Sequence, residues 1–155
     1  MGYETMIDEY LAGTELLRQA IAGMTDDQLD AKPVPGKWST RQVVCHIADF
    51  ETIYADRMKR VITEPMPTLL GGNPDKFAAS LAYEKRPVQD ELILIAAVRR
   101  QMATILRALG PDDFRKTGNH PRDGALTLEA LLKRITEHIP HHVRSIEEKR
   151  RALGQ

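Results

Sequence analysis

Four long stretches of helical periodicity, joined by connections of very unequal length, constrain this chain more than any other feature. Between about Tyr3 and Met24, Ile7, Tyr10, Leu11, Leu17 and Ile21 recur at helical spacing. A second stretch, from about Thr40 to Ile62, carries Val43, Ile47, Phe50, Tyr54, Met58 and Val61 on one face. Ser39 precedes it and Gln42 follows three residues on, the capping-box pattern of a helix start. A third runs from about Val88 to Leu109, opened by Pro87 and stopped by Gly110-Pro111. The fourth runs from about Leu128 to Leu153, capped by Thr127 and closed by Gly154. Period-two alternation is nearly absent, so almost no sheet is expected. The spacing predicts an all-α four-helix bundle, with residues 1–155 forming a single domain.

The connections bear on topology. About 15 residues join the first two helices, but about 25 join the second and third, where a loop that long is uncommon without a task. That segment holds Pro65, Pro67, Gly71, Gly72 and Pro74, with room for a short helix from Asp75 to Tyr83. It is long enough to cross a helix of about 33 Å from end to end. Helices two and three would then be parallel, and two and four antiparallel. A plain up-down-up-down bundle with a decorated loop is the alternative on these residues alone.

Composition narrows the function class. Lys plus Arg and Asp plus Glu both number 22, so there is no basic excess of the kind a phosphate-backbone binder shows, and no nucleic-acid partner is expected. The one cysteine, Cys45, forms neither an internal disulfide nor a cysteine-rich zinc site. No apolar run approaches the roughly 20 residues of a membrane span. MGYETMIDEYL lacks the basic start of a signal peptide, and Met6 spoils a myristoylation motif at Gly2. A cytoplasmic protein with no membrane partner is expected.

Chemistry is concentrated in the histidines. His138 and His142 lie one turn apart in EHIPHHVRSI on the fourth helix, with Cβ atoms about 5–6 Å apart. Imidazoles at that separation can share one metal at about 2.0–2.1 Å. Leu131 and Ile135 share their sector, so the pair sits at the edge of the apolar face. Burying two neutral imidazoles without partners is costly, and an ion would satisfy both. His46 faces inward with Val43, Phe50, Ile53 and Tyr54. In an antiparallel pair of helices its height, about 10 Å in, roughly matches that of His142, about 15 Å from the other end. The plainer alternatives are a hydrogen-bonded core histidine at 46 and two solvated histidines at 138 and 142. His141 points elsewhere and is the poorest ligand. His120, in KTGNHPRDG, reads as a surface loop residue or the rim of a site. Pro140 removes a helical hydrogen bond and should kink or open the helix between the two histidines.

These residues also carry a resemblance. KWSTRQVVCHIADFE, at 37–51, resembles the Trp-Ser…His…Asp/Glu signature opening the second helix of DinB-like (YfiT-like) proteins. HIPHHVRSI, at 138–146, resembles that family's C-terminal His-x-x-x-His. The resemblance implies an up-down-down-up bundle, usually a homodimer, that binds zinc, nickel or another divalent ion. By matching position the ligands would be His46, His138 and His142. Where the family continues with Arg-Gly-Gln, this chain has Val143-Arg144-Ser145, so nothing is carried over there.

Three neutral imidazoles leave an ion its full charge and one to three positions for water or a small-molecule substrate, a catalytic type of site. Such an ion could activate water for hydrolysis or hold a low-molecular-weight thiol such as bacillithiol, mycothiol or glutathione for transfer or isomerisation. A non-catalytic dimeric binding protein is the third reading. Asp49 and Arg57 are the weak catalytic candidates: Asp49 as a base or an imidazole's partner, against a solvated carboxylate, and Arg57 as an anion binder, against pairing with an acid or snorkelling. Glu51 is expected to pair with a cation, Cys45 to pack, and Trp38 to staple the helix start.

Overall fold

Side-chain caps set where two of the four long helices and both short ones begin in the computed structural model, which describes residues 2–155. The long helices are α1 (Gly2–Ala20), α3 (Thr40–Thr63), α5 (Val88–Arg107) and α6 (Leu128–Ala152), with short α2 (Asp26–Asp30) and α4 (Pro74–Ser80) between them. The Ser39 hydroxyl accepts from the Gln42 amide, and the Gln42 side chain accepts from the Ser39 amide at 2.9 Å. Two donors that the first turn of α3 leaves unpaired are thereby satisfied. Thr25 and Gln28 make the same reciprocal pair at α2, and Thr127 caps α6.

The apolar faces close into a bundle in which α1 and α3 each pack against both α5 and α6. Direction follows from which residues share a core. Ile7 and Tyr10 of α1 pack with Met58 and Val61 of α3, Met102 and Leu106 of α5, and Leu128 and Leu131 of α6. At the opposite end Leu17 and Ile21 meet Val43, Val44, Val88, Leu92, Ile139 and Ile146. The first turns of α1 and α6 therefore lie with the last turns of α3 and α5, which is the up-down-down-up order.

Parallel α3 and α5 require the chain to return along the bundle, and the crossover is anchored as it does so. Leu69 donates its amide to the Asn119 carbonyl at 2.7 Å, and Asn119 donates to the Pro67 carbonyl at 2.7 Å. The Leu69 side chain is fully buried, worth about 1.5–3 kcal/mol over leaving it exposed. Arg57 then holds the Leu70 carbonyl with Nε at 3.0 Å and Nη2 at 2.7 Å. Asn73 caps α4, and the 3-10 turn Tyr83–Lys85 returns the chain beside the first half of α3.

The expectation of almost no sheet meets one exception. Strands β1 (Thr117–His120) and β2 (Gly124–Thr127) form an antiparallel hairpin, with His120 opposite Gly124. Gly124 has φ +73°, the left-handed residue that a three-residue hairpin turn needs. His120 closes this turn, its Nδ1 accepting from the amides of Arg122 and Asp123 at 3.2 Å. Its side chain is only 12% exposed, so it is a turn-organising residue and not the free surface histidine of the sequence reading.

Each core end is apolar, but a charged pair lies inside the bundle. Arg99 of α5 and Glu51 of α3, both fully buried, form an ion pair. Arg99 also donates to the carbonyls of Tyr10 in α1 and Ile135 in α6. One guanidinium thus ties all four long helices together. Gly13 of α1 has no Cβ because the Arg99 guanidinium occupies that space.

Candidate metal centre

His46 occupies the second turn of α3, and His138 and His142 project from consecutive turns of α6. Because α3 and α6 run antiparallel and pack together, the three side chains meet at one level. Their Nε2 atoms form a triangle with edges of 3.0 Å (His46–His138), 3.1 Å (His46–His142) and 3.1 Å (His138–His142). These atoms belong to the one group of three or more potential metal donors found among the described residues. Two nitrogens each about 2.0–2.1 Å from a common ion and separated by such an edge subtend about 95–100°. That angle lies between an octahedral face and a tetrahedral one, so the donors fit a divalent ion with further positions open on one side.

The electrostatics agree with that fit. Burial lowers all three imidazoles from the usual 6.5: His46 to about 4, His138 to about 2 and His142 to about 3. For His138 the neighbouring His142 and His46 add to the effect of burial, and for His46 the carboxylate of Asp49 works against it. Neutral imidazole is the ligand form. Three lone pairs converge on one point, where a cation relieves their repulsion. The Nδ1 atoms of His46 and His138 are buried with no hydrogen-bond partner among the described residues. Ligand imidazoles ordinarily donate that N–H to a carboxylate or carbonyl; here ring packing orients them instead. The Phe50 ring lies 4.8 Å from His46 and 6.2 Å from His138, and Trp38 lies 5.2 Å from His46 at a 56° tilt. Trp38 is therefore part of the wall of the centre as well as a residue of the helix start.

These shifts have a consequence in acid. Unfolded histidines take up protons near pH 6.5, while the folded ones stay neutral to about 4 or below. As pH falls through 6.5 the unfolded chain binds more protons than the folded one, so stability falls with it. The thermal midpoint of metal-free protein is expected to drop steadily from about pH 6.5 to about pH 4.5. A flat midpoint across that window would contradict buried neutral imidazoles.

The other candidates take different places. Asp49 is neither a solvated carboxylate nor a partner of His46. It accepts from Tyr83 Oη at 2.8 Å and from Arg86 at 2.8 and 3.2 Å, and Arg86 also pairs with Glu91 at 2.7 Å. The carboxylate pins the end of the crossover to α3 one turn beyond His46, with its oxygens already engaged. Arg57 is likewise corrected. It neither pairs with an acid nor reaches solvent, being buried over the Tyr54 ring at 4.8 Å and bound to the Leu70 carbonyl. Glu51 finds its cation in Arg99. Cys45 is fully buried, and burial pushes its thiol up to about 12, so it packs and does not react. His141 is exposed beside the triangle. Helix α6 runs unbroken through Pro140.

Two grooves reach the centre. One of about 1040 Å³, lined by Leu16, Tyr54, Arg134 and His141, touches His138. The other, about 600 Å³, is lined by Lys37, Trp38, Arg144, Ser145 and Lys149 and touches His142. Sequence reasoning missed Tyr83 and Arg86, whose partner Asp49 lies 34 and 37 residues away, and Lys149, which only its burial against the rest of the bundle singles out.

A Bacillus mycoides protein named "Putative metal-dependent hydrolase" is 32% identical over 155 residues, covering 97% of this chain and 89% of its own length. A Bacillus cereus protein of the same name has the same identity and coverage. Among solved structures, YfiT from Bacillus subtilis, described as "a probable metal-dependent hydrolase with an unusual four-helix bundle topology", matches with a TM-score of 0.91 at 28% identity, covering 97% of this chain and 87% of its own. A mycothiol-dependent maleylpyruvate isomerase shares the fold, with a TM-score of 0.72 at 12% identity over 92% of this chain and 60% of that one. No helix among the described residues is long and apolar enough to cross a membrane. The DinB superfamily model aligns with residues 9–146, a span that contains all three histidines and all but the ends of the bundle, and the chain belongs to that superfamily.

Proposed function

We propose that this protein is a metal-dependent hydrolase of a small molecule, holding one divalent ion, zinc or nickel, on His46, His138 and His142. The observation that carries this reading is the triangle of Nε2 atoms with 3.0–3.1 Å edges, built from two helices and lined by aromatic rings. The relatives' names point the same way. Imidazole donors suit zinc and nickel. Such an ion, when bound, supplies Lewis acidity and brings the pKa of a water from 15.7 toward about 7.

The chain's own residues contribute binding and orientation. Burial keeps the three imidazoles neutral at pH 7 and so ready to bind. Phe50 and Trp38 pack against the rings and hold them in register. The Asp49–Arg86–Glu91 network fixes the crossover against α3, so the His46 turn is braced from outside the site. The two grooves admit substrate from the sides of His138 and His142.

The test is turnover on a panel of small esters, amides and phosphoesters by zinc- or nickel-loaded protein. Hydrolysis that chelation abolishes and the same metal restores is the expected result. Turnover only after addition of bacillithiol, mycothiol or glutathione would overturn hydrolysis in favour of thiol-dependent transfer. One bound ion with no turnover under either condition would leave a binding protein.

A further inference from the structure

We propose that the groove beside His142 is an oxyanion subsite, in which Lys149, assisted by Arg144 and Arg151, receives a carboxylate or phosphate group of the substrate. Calling that ligand a substrate rests on the hydrolase reading of the centre; the binding of an oxyanion does not.

Lys149 is the observation that points to a ligand. It is 1% exposed, and its ammonium donates to the Ser145 hydroxyl and carbonyl. No carboxylate lies within ion-pair distance of it among the described residues. Lysine is almost never fully buried unless paired, because removing an ammonium from water is costly without a counter-charge. Burial, with Lys37 adding to it, accordingly lowers the Lys149 pKa below the ordinary lysine value.

The surroundings supply the missing charge only in part, since the Glu148 carboxylate opposes the shift without contacting the ammonium. Glu148 is engaged by Lys37 at 3.0 Å. Arg144 and Arg151 line the same groove and make no ion pair among the described residues. Asp75 is the remaining acid of the lining. Once Lys37 and Glu148 cancel, three cations face one carboxylate, and Ser145 adds a hydroxyl. Oxyanions are bound by such combinations through short, charge-assisted hydrogen bonds.

Position relates this cluster to the centre. Lys149 follows His142 by seven residues on the same face of α6, about 10 Å along the axis. A small molecule with its reacting group at the histidines and its anion at Lys149 fits that span. The larger groove is the poorer site: it shares Arg144 with the smaller one, but Glu9, Glu15 and Glu137 line it, its Arg134 is paired with Asp123 at 2.8 Å, and it has no buried lysine.

The probes are inorganic phosphate and malonate, titrated calorimetrically at low ionic strength into zinc-loaded and metal-free protein, with zinc content measured in parallel. Both anions should bind the metal-free protein. Lys149→Met should weaken them by about tenfold or more, as loss of a charged hydrogen bond implies, while zinc content stays at wild type. The double variant Arg144→Gln/Arg151→Gln, on exposed side chains, should weaken them in the same direction and decides the matter if Lys149→Met does not fold. Lys133→Met, on the solvent face of α6, should change neither affinity. Tighter phosphate than malonate marks a phosphorylated substrate, and the reverse a carboxylate. Unchanged affinities in Lys149→Met, or an equal loss in Lys133→Met, would overturn the subsite while leaving the metal centre intact. Lys149-dependent anion binding in protein that takes up no zinc would leave the subsite standing and sink the metal reading.

Discussion

Glu51→Ala is expected to destabilise the protein by about 3–5 kcal/mol, the cost of stranding one partner of a buried ion pair. Arg99 would be left fully buried with no counter-charge, facing the Tyr10 and Ile135 carbonyls and the Tyr10 ring at 4.5 Å. Burial pushes the Glu51 carboxyl up, and Arg99 holds it down by charge and by hydrogen bonding. Glu51→Gln keeps a hydrogen-bond acceptor and should therefore cost less than alanine. Replacing both partners by apolar residues of similar volume should recover much of the loss, because neither charge is then buried alone. Gly13→Ala attacks the same junction from α1, since its methyl group would occupy the space of the Arg99 guanidinium. Overpacking of that kind costs about 1–3 kcal/mol. Chemical denaturation of these variants checks the set. A Glu51→Ala loss under about 1 kcal/mol would mean that Arg99 is not held as described.

The second large effect concerns the histidines and has an unusual sign. His138→Leu should weaken zinc binding by more than about 100-fold, since loss even of an outer-shell partner of a ligand costs 10–100-fold. Yet the metal-free variant should be as stable as metal-free wild type or more so, because a buried imidazole with an unpartnered Nδ1 gives way to an apolar side chain. Wild type should gain about 2.7 kcal/mol at a free zinc concentration 100 times its Kd, and the variant essentially nothing. Thermal melts with and without zinc read both quantities. A variant that keeps the full zinc response would place the ion elsewhere.

The parts of this structure legible in the sequence are those set by local rules. Ser39 with Gln42, Thr127, and Gly110-Pro111 marked helix ends correctly to within two residues, because caps and breakers act over one turn. The length of the Pro65–Pro74 connection carried the crossover, because reach depends on residue count. The convergence of His46 with His138 and His142 followed from helix phase, and the family resemblance favoured reading them as ligands over the alternatives that phase left open. Elements resting on unread local signals were also missed: Thr25-Asp-Asp-Gln28 is a capping box, and Asp123-Gly124 is a hairpin turn signal.

What stayed hidden depends on partners far apart in the chain. Arg99 stands beside Arg100 and looks like half of a solvated pair, yet one enters the bundle and the other faces water. Asp49 sits inward of the solvent face but is claimed by Tyr83 and Arg86, 34 and 37 residues away. Arg57 finds a carbonyl on the crossover, and no helical wheel contains the crossover. Lys149 reads as one of several cations near the end of α6, and only packing singles it out.

The central claim is that three imidazoles from α3 and α6 hold one ion. X-ray absorption spectroscopy of zinc-loaded protein tests it most directly. The account predicts three imidazole nitrogens at about 2.0–2.1 Å, with oxygen donors completing the sphere and no sulfur. A sulfur scatterer at about 2.3 Å, or fewer than three imidazoles per zinc, would contradict it.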